Sequence, residues 1–265
     1  MGVLNITPDS FSDGGRFLAR DAAVEQARRM ISEGAAIVDV GGESTRPGAS
    51  PATTSEELDR VLPVIEAVRR EFPATFISVD TTKAEVMKAA IAAGADIIND
   101  VRALAEPGAL SVAASSGAGV CLMHMKGEPR TMQDAPFYED VVSEVSAFLA
   151  ERVAAARDAG IDQSRIAIDP GFGFGKRIVD NLALLERLDE LASLGVVLAV
   201  GLSRKSMLAK ITGRAVGERV AGSVALAAIA VLNGARIVRA HDVAATFDAV
   251  RVAAAVVQGA DFDVS

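Results

Sequence analysis

Residues with ionisable or amide side chains recur in this chain at the end of short apolar segments or just beyond them. Those that could do chemistry there are Asn5, Asp80, Asn99, His124, Asp169, Lys205, Arg239 and His241. Carboxylates such as Asp80 and Asp169 can accept two parallel N–H donors from an amidine-like edge of a ligand. Cations such as Arg239 can neutralise an anionic group, for instance a phosphate. The sequence therefore predicts a ligand with an N–H-rich edge and an anionic group.

Each of these residues taken alone is more often a helix cap or a turn former, since Asp, Asn, Ser and Thr favour those places. That interpretation does not cover the whole set, because Asn5, Asp80, Asn99, Asp169 and Lys205 lie on apolar segments or hard against them. Burying such groups without a partner would cost about 1–3 kcal/mol each. We therefore expect a polar ligand to fill the place where they meet.

The composition excludes several classes of protein. The chain has 265 residues, with 27 Lys+Arg, 35 Asp+Glu, a formal net charge of −8 and one cysteine. One cysteine excludes a disulfide-stapled secreted fold, and a pI near 4.9 argues against general nucleic-acid binding. The longest apolar run, 224–232, is too short to span a bilayer, and no export signal is visible. These features predict a cytoplasmic protein without nucleic-acid or membrane partners.

The elements that must position the polar residues alternate along the chain. Eight segments with the character of buried parallel strands cover residues 2–6, 36–40, 76–80, 96–100, 119–124, 166–169, 196–201 and 236–240. Amphipathic helical patterns follow at residues 21–33, 55–71, 83–93, 107–116, 139–159, 181–193, 219–233 and 242–258.

Eight strand–helix pairs in this length predict an α/β fold, a (β/α)8 TIM barrel, as a single domain over residues 1–265. An open doubly wound sheet is the alternative, but it usually has fewer strands. In a barrel the carboxyl ends of all strands meet at one mouth, where catalytic residues gather. The polar residues that follow the strands are then expected to share one site.

Two motif matches in the glycine-rich segment 170–177 fail. Pro170 stands where a Walker motif needs its first glycine, and Arg177 stands where it needs Ser or Thr. Lys176 occupies the third glycine position of the dinucleotide-binding pattern. We interpret these glycines as allowing the backbone to approach a flat ligand closely.

The histidines and the cysteine do not indicate a metal site made by protein alone. His124 and His241 are the only two histidines, and neither has the spacing of a zinc-binding motif. Cys121 lies inside an apolar run, and we expect it to be a small buried hydrophobe.

Several strings in the sequence resemble the signatures of one enzyme family, the dihydropteroate synthases. The opening fifteen residues, MGVLNITPDSFSDGG, are similar to the first signature, and GGESTRPG at 41–48 is similar to the second. Further segments match in order at 78–81, 98–100, 122–125, 169–176, 203–206 and 239–242. The resemblance covers the whole chain apart from a short N-terminal segment, which we expect to be missing before the first strand.

The resemblance implies a transferase of folate biosynthesis and a target of sulfonamides. Its reaction condenses 6-hydroxymethyl-7,8-dihydropterin pyrophosphate with p-aminobenzoate, giving 7,8-dihydropteroate and pyrophosphate by a dissociative substitution. It also implies a homodimer and Mg²⁺ as the cofactor.

The resemblance further implies a role for individual residues. The pterin would be bound by Asp80, Asn99, Met123, Asp169 and Lys205. The pyrophosphate would be bound by Asn5, Arg239 and His241, with Asn5 as the metal ligand. The p-aminobenzoate pocket would comprise Phe11, Thr45, Pro47, Phe174 and Ser206. The catalytic residues would be Asp13, Arg46 and Lys205.

Two other functions are compatible with part of this pattern. A methyltetrahydrofolate-dependent methyltransferase also anchors a pterin with Asp and Asn, but it has no use for the pyrophosphate grip of Arg239 and His241. A non-catalytic pterin-binding barrel is the other alternative, and the complete set of Asn5, Arg239 and His241 counts against it.

Overall fold

Eight parallel strands form the sheet of a (β/α)8 barrel, as the sequence predicts. The computed structural model describes residues 1–6, 15–44, 51–128 and 131–261, with the backbone alone for residues 15–19. The strands are β1 (Gly2–Asn5), β2 (Ile37–Gly41), β3 (Phe76–Asp80), β4 (Ile97–Asp100), β5 (Gly119–Met123), β6 (Ile166–Asp169), β7 (Val197–Gly201) and β8 (Ile237–Arg239). They pair in sequence order, and a bridge between Gly2 and Ala240 joins the last strand to the first.

Helices connect successive strands. They are α1 (Gly15–Ser32), α2 (Thr54–Glu71), α3 (Ala84–Ala92), α4 (Ala109–Ser116), α5 (Val141–Asp158), α6 (Ile178–Glu186), α7 (Leu188–Ala192), α8 (Ser206–Thr212), α9 (Val220–Leu232) and α10 (Val243–Gln258). Local sequence signals fix several ends. For α2, the Thr53 hydroxyl accepts the Glu56 N–H and the Glu56 carboxylate accepts the Thr53 N–H, a capping box.

Two helices differ from the sequence prediction. The predicted helix 181–193 is two helices, α6 and α7, which meet at Arg187 with φ −106° and ψ 30°. The apolar period continues through this break, since Leu184 and Leu188 are both buried, and the sequence therefore hides it. The seven residues of α8 are too few to show a helical period.

The main hydrophobic core lies between the sheet and the surrounding helices, while the inside of the barrel is lined differently. Cys121, Ala167 and Ala199 pack together there as a separate small cluster with Ile237 against them. Cys121 is thus a buried small hydrophobe, as expected from the sequence. These small side chains leave room inside the barrel for the polar groups of the neighbouring strands.

The strand register brings polar residues of different strands to one level. Asn5 pairs with Gly41, Gly41 with Asp80, and Asp80 with Asn99. In the second half of the barrel Met123 pairs with Asp169. Because neighbouring strands share a level in the register, side chains that are far apart in sequence lie side by side at the mouth.

Helix α10 and the turn after it form one long apolar stretch, Val243–Asp261, of which 17% is buried. By length and composition alone it is the one helix of the described residues that could cross a membrane. No uninterrupted apolar run marks this stretch in the sequence, because Asp248 and Arg251 interrupt it. The helix follows β8 and packs on α9, so it is also the eighth outer helix of the barrel.

Candidate active site

An arginine at the end of β8 binds two carboxylates inside the barrel mouth. Arg239 Nε donates to Asp39 Oδ2 at 2.6 Å, and Arg239 Nη2 donates to Asp80 Oδ2 at 2.7 Å. Burial alone would lower the pKa of Arg239, but the two carboxylates outweigh it and raise the pKa. Burial raises the pKa of Asp80, Arg239 opposes that rise and Asp39 adds to it. The mouth therefore holds one fixed cation between two acidic groups.

Asp39 is the innermost member of this network. Its side chain has no exposed surface, and its Oδ2 also accepts the amide N–H of Asn99 at 3.3 Å. Its Oδ1 and the hydroxyl of Ser78 are buried without a hydrogen-bond partner. Asp39 therefore fixes both Arg239 and Asn99 from below, and buried acceptor capacity remains beside them.

The side-chain oxygens of Asn5 and Asp80 converge over Gly41. A Cβ atom at Gly41 would lie 3.5 Å from Asn5 Oδ1 and 3.8 Å from Asp80 Oδ2. The register thus brings together three predicted ligand-binding residues, Asn5, Asp80 and Asn99, with Arg239 in contact with one of them.

The second half of the mouth holds Asp169 and Lys205. Asp169 is 8% exposed, and its Oδ1 accepts the Gly171 N–H at 2.7 Å. Burial raises the pKa of Asp169, and the Gly171 hydrogen bond and Lys205 oppose that rise. Burial lowers the pKa of Lys205 to about 8, with Asp169 acting in the opposite direction. A buried carboxylate and an amine whose pKa lies near neutrality therefore face the same space.

Lys205 also contacts the aromatic ring of Phe174. The Lys205 Nζ lies 4.3 Å from the ring centroid, a cation–π contact between the segments that follow β6 and β7. Met123, at the end of β5, is 5% exposed, whereas Ser206 begins α8 and is exposed. The structure therefore places Phe174 with Lys205, and it places Ser206 next to Lys205 at the rim.

His241 is held by a serine from the neighbouring strand end. Its backbone N–H donates to Ser203 Oγ at 3.1 Å, and its Nδ1 lies 3.1 Å from the same oxygen. The next residue, Asp242, pairs with Arg204 through a 2.9 Å contact with Nε. Two contacts thus tie the β7 and β8 ends together and fix the position of the His241 ring.

Known proteins resemble this chain over nearly its whole length. A protein-family model described as pterin binding enzyme matches residues 1–241. Dihydropteroate synthase of Escherichia coli is 52% identical over 252 residues, which are 95% of this chain and 89% of that protein. The chain belongs to the dihydropteroate synthase family. The Haemophilus influenzae member is 51% identical and covers 95% of this chain and 91% of its own length.

Solved structures of dihydropteroate synthases share this fold. The Yersinia pestis enzyme in a sulfonamide drug complex has a TM-score of 0.93 and 47% identity, covering 98% of this chain and 94% of that one. The Xanthomonas albilineans enzyme with 4-aminobenzoic acid has a TM-score of 0.91 and 54% identity, covering 97% and 92%. The same enzyme in complex with 7,8-dihydropteroate has a TM-score of 0.88 and 50% identity, covering 97% and 92%.

Five residues with predicted roles in this dihydropteroate synthase family member fall outside the described ranges. They are Phe11, Asp13, Thr45, Arg46 and Pro47. They belong to the segments after β1 and β2. Their roles in p-aminobenzoate binding and catalysis stay predictions from the family resemblance.

The described end of the segment after β2 is fixed by an ion cluster that the sequence did not reveal. Lys83 Nζ donates to Glu57 Oε2 at 2.5 Å and also to the carboxylate of Glu43. Burial opposes protonation of Lys83, but these hydrogen bonds outweigh it and the pKa of Lys83 is raised. Glu57 has no exposed side-chain surface, and its helical spacing from Val61 and Ile65 places it on the buried face of α2.

Two glycines of segment 170–177 lie against protein backbone, whereas a Cβ atom on Gly173 would meet the side chain of Lys205. Gly171 (φ +69°) and Gly175 (φ +64°) have left-handed backbone conformations. A Cβ atom on Gly171 would collide with the carbonyl oxygen of His124, and one on Gly175 with that of Lys126. In the described structure these glycines therefore allow close approach to the segment after β5, which is protein backbone rather than a flat ligand.

Proposed function

We propose that this chain is a transferase that condenses 6-hydroxymethyl-7,8-dihydropterin pyrophosphate with p-aminobenzoate, giving 7,8-dihydropteroate and pyrophosphate. The observation that carries the proposal is the whole-chain similarity to dihydropteroate synthases, among them the structures with 4-aminobenzoic acid and with 7,8-dihydropteroate. The mouth of the barrel supports it with chemistry of the required kind. It offers carboxylates and an amide for the pterin, and cations for the pyrophosphate.

The pterin end of the site would be formed by Asp169, Asn99, Lys205 and Met123. A carboxylate accepts hydrogen bonds from the amino group and ring N–H of a pterin. The carboxylate of Asp169 is held in place by the hydrogen bond from the Gly171 N–H. An amide both donates and accepts, which suits the lactam-like edge. Asn99 is oriented for this by its donation to Asp39. Met123, nearly buried beside Asp169 in the register, would pack on the ring face.

The pyrophosphate end would be formed by Arg239 and His241. Arg239 ends β8, and His241 follows it two positions later, beyond the bridge at Ala240. Asp39 and Asp80 keep Arg239 charged and in place, and Ser203 orients the His241 ring. Positive groups at this position stabilise the charge that develops on the leaving pyrophosphate.

The donor set is compatible with Mg²⁺ bound together with the pyrophosphate. Mg²⁺ prefers oxygen ligands and usually takes only one or two from the protein, the others coming from water and phosphate. Asn5 offers an amide oxygen next to Gly41, whose other side-chain neighbour there is Asp80. Within the described ranges no three His, Cys, Asp or Glu side chains converge as a protein-only cage. Asn5 would therefore hold the ion, which neutralises phosphate charge when bound.

The reaction would be a dissociative substitution. The C–O bond to the pyrophosphate breaks first and leaves a carbocation conjugated with the pterin; the p-aminobenzoate nitrogen then bonds to that carbon and loses a proton. The carboxylates of Asp80 and Asp169 can stabilise this cation, while Arg239 stabilises the leaving group. The Lys205–Phe174 contact borders the p-aminobenzoate pocket in this proposal, with Ser206 at its rim and the segments after β1 and β2 completing it.

A coupled assay tests the proposed reaction. Purified protein is supplied with the pterin pyrophosphate, Mg²⁺ and p-aminobenzoate, and released pyrophosphate is followed together with 7,8-dihydropteroate. We expect pyrophosphate release that depends on p-aminobenzoate and equals product formation. Pyrophosphate release that does not depend on p-aminobenzoate would identify a hydrolase instead. Turnover that does not need the pterin pyrophosphate would also contradict the proposal.

We further propose that two copies of the chain form a homodimer through α9 and α10. These two helices pack on each other and expose large apolar side chains, namely Ile229, Leu232, Phe247, Val252, Val256 and Val257. Val252 is 66% exposed and Val256 is 69% exposed. An apolar patch of this kind on a barrel surface is typical of an interface, and the same patch on a second copy would cover it symmetrically.

Sedimentation experiments test the homodimer. The wild-type protein is expected to sediment at twice its 27.4 kDa chain mass, and a Val252→Glu, Val256→Glu variant at the monomer mass. Val179→Glu is the matched control, because Val179 is 61% exposed on α6, which is not one of the two helices that carry the patch. A wild-type monomer at every concentration, or equal dissociation by the control substitution, would contradict the proposal.

A cytoplasmic location is the last part of the proposal. It rests on the single cysteine of the chain, Cys121, because one cysteine cannot form the internal disulfides that stabilise many secreted proteins. Subcellular fractionation of the producing cells tests this location, and we expect the protein in the cytoplasmic fraction. Enrichment in the membrane or periplasmic fraction would contradict it.

A further inference from the structure

A buried lysine joins the segment after β5 to the segment after β6. Lys176 is 3% exposed, and its Nζ lies 2.9 Å from His124 Nδ1. The same Nζ donates to the backbone carbonyl oxygens of Gly171 at 3.0 Å and Phe174 at 3.1 Å, with that of His124 at 3.4 Å. Its donors are therefore used within the protein, and Lys176 does not reach the ligand space as a phosphate-loop lysine would.

The contacts around Lys176 determine the state of His124. Burial lowers the pKa of Lys176 to about 7, and Asp169 opposes that fall. Carbonyl oxygens can only accept, so the protonated Lys176 present below that pH supplies all the N–H donors, and His124 Nδ1 is the acceptor in this pair. The proton of the neutral imidazole then resides on Nε2. The pKa of His124 is lowered to about 3, mainly by burial and to a smaller extent by the charge of Lys176. The other charged groups that influence the pair are Asp169, Lys205, Asp180 and Lys126.

The turn 171–174, to which Lys176 donates hydrogen bonds, contacts or carries two groups of the proposed active site, Asp169 and Phe174. Gly171 accepts from Lys176 through its carbonyl, and its N–H donates to Asp169 Oδ1 at 2.7 Å. At the other end of the turn, Phe174 accepts from Lys176 through its carbonyl and presents its ring to Lys205. Asp169 is also held by its strand, β6, whereas Phe174 lies beyond the sheet. Besides Lys176, two side chains hold the turn at Gly173, whose carbonyl accepts from Gln133 and whose N–H donates to Asn181.

We infer that Lys176 and His124 form a positioning pair that fixes the turn 171–174, and with it the Phe174 wall of the p-aminobenzoate site. This inference rests on the proposed function for the identity of that ligand. Loss of the pair leaves the buried Lys176 nitrogen short of an acceptor, so Lys176 must shift to regain one, and the Gly171 and Phe174 carbonyls that it binds shift with it. The effect should fall on p-aminobenzoate more than on the pterin, because β6 holds Asp169 independently.

Two substitutions of His124 provide a matched test. Asn at this position places its amide oxygen where the imidazole Nδ1 stands, whereas Leu offers no acceptor. We expect His124→Leu to raise the KM for p-aminobenzoate about tenfold or more, since small displacements of a positioned group have effects of that size. The dissociation constant of the pterin should change by less than about threefold, and His124→Asn should restore most of the p-aminobenzoate KM.

A role in stability alone would produce a different result. Circular dichroism and melting curves of both variants show whether they are folded, and a purely structural pair would lower the melting temperature while leaving both constants of the folded enzyme unchanged. Equal losses for the pterin and p-aminobenzoate, or no rescue by His124→Asn, would overturn the inference.

The wild-type protein offers a measurement that does not depend on activity. It has two histidines, so ¹⁵N-detected NMR of the rings gives two sets of signals, with His241 as the internal comparison. We expect His124 in the Nε2–H form without titration from about pH 5 up to about pH 7, where Lys176 is protonated. An Nδ1–H form, or titration of His124 near its ordinary pKa, would overturn the pair even if the enzyme is a dihydropteroate synthase. Failure of the proposed function would instead appear as absent turnover with these NMR signals as expected.

Discussion

Replacing Arg239 by methionine would remove the only cation that the described structure places directly on Asp39 and Asp80. Methionine keeps much of the apolar stem but offers no N–H donor. Asp39 has no exposed side-chain surface and the Asp80 side chain is 12% exposed, so neither carboxylate can recover its hydration by a small movement. The variant therefore contains two neighbouring buried acids without a counterion.

The size of the effect follows from the burial of Asp39. Leaving a buried charge without its partner costs about 3–5 kcal/mol of folding free energy. In a protein of this size each kcal/mol corresponds to about 2–4 °C in melting temperature, so a decrease of roughly 10 °C is expected near neutral pH. Pyrophosphate should also bind more weakly to the variant, and this loss should exceed the loss for the bare pterin.

The destabilisation should depend on pH in a defined direction. Burial raises the pKa of Asp80 above its unfolded value of 3.8, and Arg239 opposes that rise, so the substitution raises the pKa further. A group of this kind stabilises the fold below its unfolded pKa, and the stabilisation is lost as the pH rises through the folded pKa. The difference in unfolding free energy between wild type and variant should therefore grow as the pH rises above about 7, the pKa of Asp80 in the wild type, and stay constant between about pH 5 and that value.

Urea unfolding of both proteins across this pH range is the assay, because each pH then provides its own wild-type reference. The double variant Arg239→Met, Asp39→Asn is the matched control and should regain part of the stability, since one of the two unpaired charges is gone. A destabilisation that is equal at every pH and unchanged in the double variant would refute the reasoning.

Three further predictions concern other parts of the site. The Lys205→Ala variant should bind the pterin more weakly, while circular dichroism shows an intact fold. The pterin affinity of the wild type should decline as the pH rises through about 8, where Lys205 loses its proton. Unchanged affinity in the variant, or in the wild type across this pH range, would contradict the role of Lys205. Lys83→Met should lower the free energy of unfolding in urea by about 3–5 kcal/mol, because the buried Glu57 carboxylate loses its counterion. The double variant Lys83→Met, Glu57→Leu should recover most of this stability. An equal loss in both variants would contradict the prediction. Sulfonamides should inhibit turnover in competition with p-aminobenzoate, which initial-rate measurements at several p-aminobenzoate concentrations would show. Full activity in the presence of sulfonamides would contradict the proposed pocket.

The sequence alone determined the elements of the barrel and the places of most site residues. Buried parallel strands leave continuous apolar segments, and the residues that end them, such as Asp80, Asn99 and Asp169, can be assigned to the mouth without coordinates. These signals are local, so they hold within a few residues of each strand end. The break at Arg187 shows their limit, because the apolar period continues unchanged through it.

Only the tertiary structure decided which of these side chains bind one another. Arg239 meets Asp39 across 200 residues of sequence, and Lys176 meets His124 across 52. A lysine after a glycine-rich segment and an aspartate within a strand carry no sequence sign of their partners. Their pairing depends on how the closed barrel brings strand ends together and on the need of each buried charge for a partner, and local sequence patterns contain neither.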